Sequence, residues 1–170
     1  MMLPAVLSSV NVIMGGKVAA MDRIDRAILK TLQADGRITT NDLAVRVALS
    51  PSATADRVRR LQREGYIEGY GARLSPKKLG LDLLVFVEVK LDRTTPDVFD
   101  IFARAVERAP EVLECHMVAG GFDYLIKARV ADMVAYRSFL SDTLLALPGV
   151  RETHTYPVME EVKATNALPL

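Results

Sequence analysis

Apolar residues recur every three to four positions up to about residue 67 and every second position from Leu83, a change that divides the chain. Ile24, Ile28 and Leu32 fall at i, i+4, i+8 with Leu29 alongside, which predicts a helix over 22–35 closed by Gly36. Thr39 and Asp42 have capping-box spacing, and Ile38 and Leu43 flank the cap as a hydrophobic staple. Leu43, Ala44 and Val47 then form the narrow apolar face of a helix about two turns long. That helix breaks at Ala48-Leu49-Ser50. Ser50 as N-cap and Pro51 at the first helical position start a third helix, which runs to Glu64 and ends on a left-handed Gly65. Ala55, Val58 and Leu61 are its expected buried side. Residues 67–74 contain glycines and alternate weakly, as a connector does, and Ser75-Pro76 opens a single turn that ends at Gly80.

From Leu83 to Leu91 the alternation is that of a strand, with Val85, Val87, Val89 and Leu91 on one face and Leu84, Phe86, Glu88 and Lys90 on the other. Thr95-Pro96 opens a helix with the stripe Phe99, Phe102, Ala103, Val106. Strands over 112–119 and 122–130 flank the Gly120-Gly121 turn. Asp132 caps a second helix with the stripe Tyr136, Phe139, Leu140, Thr143, Leu144, and Pro148-Gly149 leads into a last strand over 150–159. The order strand, helix, strand, strand, helix, strand is the split βαβ of a ferredoxin-like sandwich. An internal repeat supports it: Pro110-x-Val112-x-Glu114-x-His116 recurs as Pro148-x-Val150-x-Glu152-x-His154. The expected fold class is α+β, a three-helix helix-turn-helix domain followed by a ferredoxin-like βαββαβ domain. The expected boundaries are 21–66 for the head, 67–80 for the hinge, 81–161 for the body and 162–170 for a C-terminal tail.

Charge sharpens this division. The formal net charge of the chain is only +1, yet residues 21–75 carry ten Lys/Arg against seven Asp/Glu, and residues 76–170 carry eleven against fourteen. A basic helix-turn-helix head on an acidic body is the distribution of a double-stranded DNA binder. The third helix puts short side chains first and arginines after them, so its N-terminus can approach base edges while the guanidinium groups neutralise phosphates or pair with guanine. Ser52, Thr54, Arg57 and Arg60 are expected at or near base edges, Arg37, Arg59 and Arg63 on phosphates, and the N-cap Ser50 is counted with them among the DNA-binding residues. The alternative is a solvated basic face on an ordinary three-helix core.

Residues 1–20 are apolar, but the first basic residue, Lys17, follows the hydrophobic run instead of preceding it as in a secretory signal, although Val18-Ala19-Ala20 resembles a cleavage site. A disordered tail, or a biological start at Met14 or Met21, is expected there. No run reaches the ~20 apolar residues of a membrane span. Half of the residues are hydrophobic, enough for a substantial core, and the single Cys115 forms no intrachain disulfide and offers no metal framework. The composition is that of a cytoplasmic protein.

The blocks DRIDRAILKTLQADGRI, DLAVRVALSPS, RVRRLQREGYIEGY, LLVFVEV, PEVLECHMVAGGFDYLIKARV, DMVAYRSFL and LPGVRETHTYPVMEEVK, in this order from Asp22 to Lys163, resemble the Lrp/AsnC family of bacterial and archaeal transcription regulators. The resemblance implies a nucleoid-associated regulator: a DNA-binding head hinged to an effector-binding body that dimerises, assembles into octamers and binds a free amino acid at subunit interfaces. It carries the effector loop onto Val118, Ala119, Gly120, Gly121, Phe122, Asp123 and Tyr124, and further effector positions onto Met133, Tyr156 and Val158. Gly121 stands where relatives commonly have an acidic or polar residue, and Pro157 where a β-branched residue is usual, so leucine, proline and other aliphatic amino acids all stay open as effector.

The chemistry of these residues suits an amino acid. Backbone N–H groups of the two-glycine turn can take an α-carboxylate, Asp123 can pair with the α-ammonium, and Met117, Met133 and Tyr136 can line a side-chain pocket. The alternative is a plain hairpin turn in which Asp123 satisfies a neighbouring backbone amide. The repeated Glu and His suggest a metal, but the topology puts His116 and His154 on opposite edges of the sheet, and no cluster supplies the usual four ligands. Cys115, His116 and Asp123 lack the spacing of a catalytic set, so neither an enzyme nor a cofactor is expected. A second reading of the whole chain is an architectural protein that compacts DNA without any ligand.

Overall fold

The computed structural model describes residues 21–170, so the expectations for residues 1–20 (a tail, an alternative start, no export signal) lie outside the described residues. The described residues form two compact units, 21–73 with 163–170, and 74–162. None of their helices is long and apolar enough to cross a membrane.

The head consists of α1 (Arg23–Ala34), α2 (Thr40–Val47) and α3 (Pro51–Arg63). Ile28, Leu29, Leu43, Val47 and Leu61 make its core. Tyr66, the last residue of the expected head, and Ile67, the first of the expected hinge, pack against that core with Ile24, Leu32, Ile38 and Val58. A capping box that the helical periodicity does not reveal opens α1: Asp25 N–H donates to Asp22 Oδ1 (2.8 Å), and Asp22 N–H to Asp25 Oδ2 (3.3 Å). At α2 only half of the expected box forms. Asp42 N–H donates to Thr39 Oγ1 (3.1 Å), but the Asp42 carboxylate accepts the Thr39 hydroxyl (2.7 Å) and not its backbone N–H.

The helix ends differ in mechanism. Gly36 does not end α1 through a left-handed turn, since the cap is Asp35 in extended conformation. It serves a close approach instead, because a Cβ there would stand 3.2 Å from Tyr70 Cδ1. At the end of α2 a non-glycine, Ala48, takes the left-handed conformation (φ 54°). At the end of α3 Gly65 does so (φ 78°), and Tyr66 N–H donates to Leu61 C=O (2.9 Å), as in a Schellman motif. The C-terminal tail, expected to stand apart, belongs to this unit: the Gln33 amide donates to Leu168 C=O (3.2 Å) and accepts Leu168 N–H (2.6 Å).

The body follows a 3-10 turn at Lys77–Leu79 and runs β1 (Leu83–Leu91), α4 (Pro96–Val106), β2 (Val112–Met117), β3 (Tyr124–Val130), α5 (Met133–Ser138, continued by a π-helical stretch Phe139–Leu144) and β4 (Val150–Pro157). The strands form one antiparallel sheet in the order β2-β3-β1-β4, the ferredoxin-like arrangement. Val85, Val87 and Val89 are fully buried together with Phe102, Ile126, Ala128 and Leu144. Each large apolar side chain among them adds about 1.5–3 kcal/mol, so truncating the central Phe102 to Ala is expected to cost about 3–5 kcal/mol. Tyr136 in α5 and Phe139 and Leu144 in the π-helical stretch are all buried.

Candidate nucleic-acid interface and effector site

The third helix is anchored before it can touch anything else. Ser50 caps it by accepting Ala53 N–H on its hydroxyl (3.2 Å), and Pro51 occupies the first turn, where no N–H is needed. Ser50, Pro51 and Ser52 are exposed, with the two serine hydroxyls 3.2 Å apart. Thr54 requires a correction. It is fully buried, and its hydroxyl donates to Ser50 C=O (3.0 Å), so it serves α3 internally and presents no group to a base.

Arg57 and Arg60 are likewise directed inward to α1 and not outward to bases. Arg57 donates to Asp25 Oδ1 (2.9 Å) and Asp22 Oδ2 (2.6 Å), and Arg60 donates to Asp25 Oδ2 (2.6 Å). Asp25 is 1% exposed. Burial alone would raise its carboxyl; the hydrogen bonds from Arg60 and Arg57, helped by Asp22 N–H, outweigh burial and hold it below the usual carboxylate range. The same contacts raise both guanidinium groups. Arg59 pairs with Asp56 one turn back, both well exposed. Arg63, Arg37 and Arg46 are exposed and make no ion pair among the described residues. Arg46 stands in the last turn of α2, just before the turn that leads into α3.

In the body, the loop from Val118 to Asp123 joins β2 to β3 and is closed by Val118 N–H donating to Asp123 C=O (3.0 Å). Asp123 also donates its N–H to Val89 C=O (3.0 Å) and accepts Leu91 N–H on Oδ2 (2.7 Å). Asp123 thus satisfies a backbone amide at the end of β1 through one carboxylate oxygen, and its other oxygen makes no hydrogen bond among the described residues. Ala119, Gly120 and Gly121 are exposed at the tip, and Val118 and Phe122 are partly buried. An added Cβ at Gly120 or Gly121 would meet nothing within 4 Å.

Met117, Met133 and Tyr156 are each about half exposed (51%), whereas Tyr136 and Tyr124 are core residues. Tyr136 therefore cannot line an open side-chain pocket as expected. Its hydroxyl shares a hydrogen bond with Thr155 Oγ1 beneath the sheet. Tyr124 packs its ring on Phe102 (4.4 Å between centroids), and burial pushes its phenol up to about 12. The sheet order also divides the effector candidates. Tyr156 and Val158 belong to the β4 edge and Met117 to Tyr124 to the β2–β3 hairpin, with up to three strand spacings, about 14 Å, between the two edges.

His116 and His154 lie on these opposite edges, each beside the glutamate two residues earlier (3.3 Å to Glu114, 3.7 Å to Glu152). No group of three or more His, Cys, Asp or Glu among the described residues is arranged to hold a metal. Cys115 faces the core, and burial pushes its thiol up to about 11.

Both units match known families. Residues 21–68 match a winged helix-turn-helix DNA-binding family, and residues 84–168 match the Lrp/AsnC ligand binding domain. The chain is 57% identical over 148 residues to the leucine-responsive regulatory protein of Escherichia coli (strain K12), covering 87% of this chain and 90% of that protein. A transcriptional regulator from Neisseria meningitidis, solved as an L-Met complex, superposes with a TM-score of 0.83 at 40% identity over 87% of this chain and 96% of that one. A feast or famine regulatory protein from M. tuberculosis, complexed with L-methionine, gives a TM-score of 0.79 at 33% identity over 88% and 99%. Two family matches in the same order as the two units, and identity that runs through both, establish that the chain belongs to the Lrp/AsnC family of transcription regulators.

Proposed function

We propose that this regulator binds double-stranded DNA through the exposed N-terminus of α3 and changes that binding when a free amino acid with an aliphatic or thioether side chain occupies the body. The observation that carries the reading is the identity to regulators named for their response to leucine. Two structural neighbours solved with L-methionine extend the range to unbranched apolar side chains. Leucine comes first by similarity, followed by methionine, proline and the other aliphatic amino acids.

In this reading Ser50 and Ser52 approach base edges, and Arg37, Arg46, Arg59 and Arg63 sit on phosphates. The N–H groups around Gly120 and Gly121 take the effector's α-carboxylate, and the second oxygen of Asp123 takes its α-ammonium. Met117, Met133, Tyr156 and Val158 supply apolar contact.

One amino acid cannot span both edges of a single sheet, so a second copy of the chain completes the site. Half-exposed Met117, Met133 and Tyr156, with Val134 exposed at 75%, favour contact with a second copy, and the octamer built from such dimers follows from the family resemblance. The protein acts in the cytoplasm, on the nucleoid. A dimer reads two half-sites about one helical turn apart. Footprinting is expected to give pseudo-palindromic protection, or protection phased at about 10 base pairs; unphased protection would count against a dimeric reader.

A further inference from the structure

The four arginines of α3 are not equivalent. One carboxylate, buried at 1% exposure, takes two of them, with Arg57 on one oxygen at 2.9 Å and Arg60 on the other at 2.6 Å. The same carboxylate belongs to the third residue of α1 and closes its capping box, which fixes its position through the backbone of Asp22. Asp22, exposed by about half, adds a second hold on Arg57. We propose that Asp25 is an internal countercharge that withholds Arg57 and Arg60 from DNA, and so sets both the strength and the sequence selectivity of binding. This rests on the reading of the head as the DNA-binding unit.

Desolvation decides the direction. If Arg57 and Arg60 moved to phosphates, a buried carboxylate would remain without a counter-ion, a far larger loss than an exposed phosphate contact returns. The Arg59–Asp56 pair is different: both partners are about two-thirds exposed, so water can replace either one and Arg59 can be released. Arg59 and Arg63 therefore remain available to phosphates, while Arg57 and Arg60 hold α3 against α1. Phosphate contacts supply affinity without sequence information. Removing two cations from that count lowers the sequence-independent part of binding and leaves more of the discrimination to the short residues at the start of α3.

The test is the full-length Asp25→Asn variant, near-isosteric and neutral, titrated against a preferred duplex and an unrelated duplex over a range of salt. The expected result is a log-affinity against log-salt slope steeper by about 0.9 for each released arginine, with the unrelated duplex gaining more than the preferred one. A folded variant with an unchanged or flatter slope would overturn the proposal. Should circular dichroism show this variant unfolded, Arg60→Lys decides, since it keeps the charge on Asp25 but loses the planar fork that reads guanine. Unchanged base preference at every position supports the internal role. A loss of tenfold or more at one guanine shows that Arg60 reads DNA and overturns it. Wild type without affinity for either duplex would refute the reading of the head itself, whichever way the variants behave.

Discussion

The carboxylate of Asp123 accepts the backbone N–H of Leu91 at 2.7 Å, tying the β2–β3 hairpin to the end of β1. Leu91 lies where the pairing of β1 with β4 shifts register, so Asp123 satisfies an N–H close to the irregularity. Removing the acceptor in Asp123→Ala should cost the body about 1–3 kcal/mol, measured as a lower urea midpoint. Asp123→Asn retains an acceptor oxygen, so it should remain folded while losing the response to amino acids. A folded Asn variant that responds like wild type would make Asp123 a turn residue only.

The two loop glycines separate stability from binding. Gly121→Ala meets open space and has no left-handed φ to strain, so its melting temperature should stay within a degree or two of wild type. A lost effector response in that variant would then locate the ligand. Gly149→Ala is the contrast: its φ is 77°, and its Cβ would stand 2.9 Å from Val98 Cγ1, so it should lose at least about 1–2 kcal/mol.

Ala48 pays the αL cost that a glycine would avoid. Ala48→Gly should raise the stability of the head by about 0.5–1 kcal/mol, read as a higher unfolding midpoint, the steric relief exceeding the added chain entropy. Unchanged or reduced stability would show that the turn after α2 is not strained.

The ion pairs of α1 predict acid sensitivity. The carboxyls of Asp22 and Asp25 are held below their ordinary values in the fold. Their contribution is present in full above the unfolded value, near pH 4, and is lost as pH falls through the folded values. The stability difference between wild type and Asp25→Asn should therefore be largest near neutrality and shrink below about pH 4. A difference that does not vary with pH would mean that Asp25 acts through packing alone.

Burial of Cys115 gives a chemical check. With its thiol raised to about 11 and packed against the core, it should resist alkylation at pH 8 in the native protein and react on unfolding. Rapid native labelling would place Cys115 at the surface.

Periodicity and punctuation made most of the fold legible. Val85, Val87, Val89 and Leu91 alternate because one face of β1 is buried, and Ser50-Pro51 and Gly65 bound α3 by local backbone chemistry that needs no tertiary knowledge. What stayed hidden depends on contacts between distant residues. Asp22 and Asp25 look like ordinary first-turn acids until α3 is packed beside them. Thr54 looks like a base reader until its hydroxyl is seen bonding back to Ser50, and Tyr136 like a pocket wall until Thr155 is above it. The tail's attachment to Gln33 spans 135 positions, beyond the reach of any local pattern.

The central claim is tested most directly by fluorescence anisotropy of the full chain on its own upstream DNA, at fixed salt, with each of the twenty amino acids added in turn. A shift in affinity with one or a few aliphatic or thioether amino acids is the predicted result and names the effector. Tight binding that none of the twenty alters would contradict ligand gating and leave an architectural DNA-binding protein.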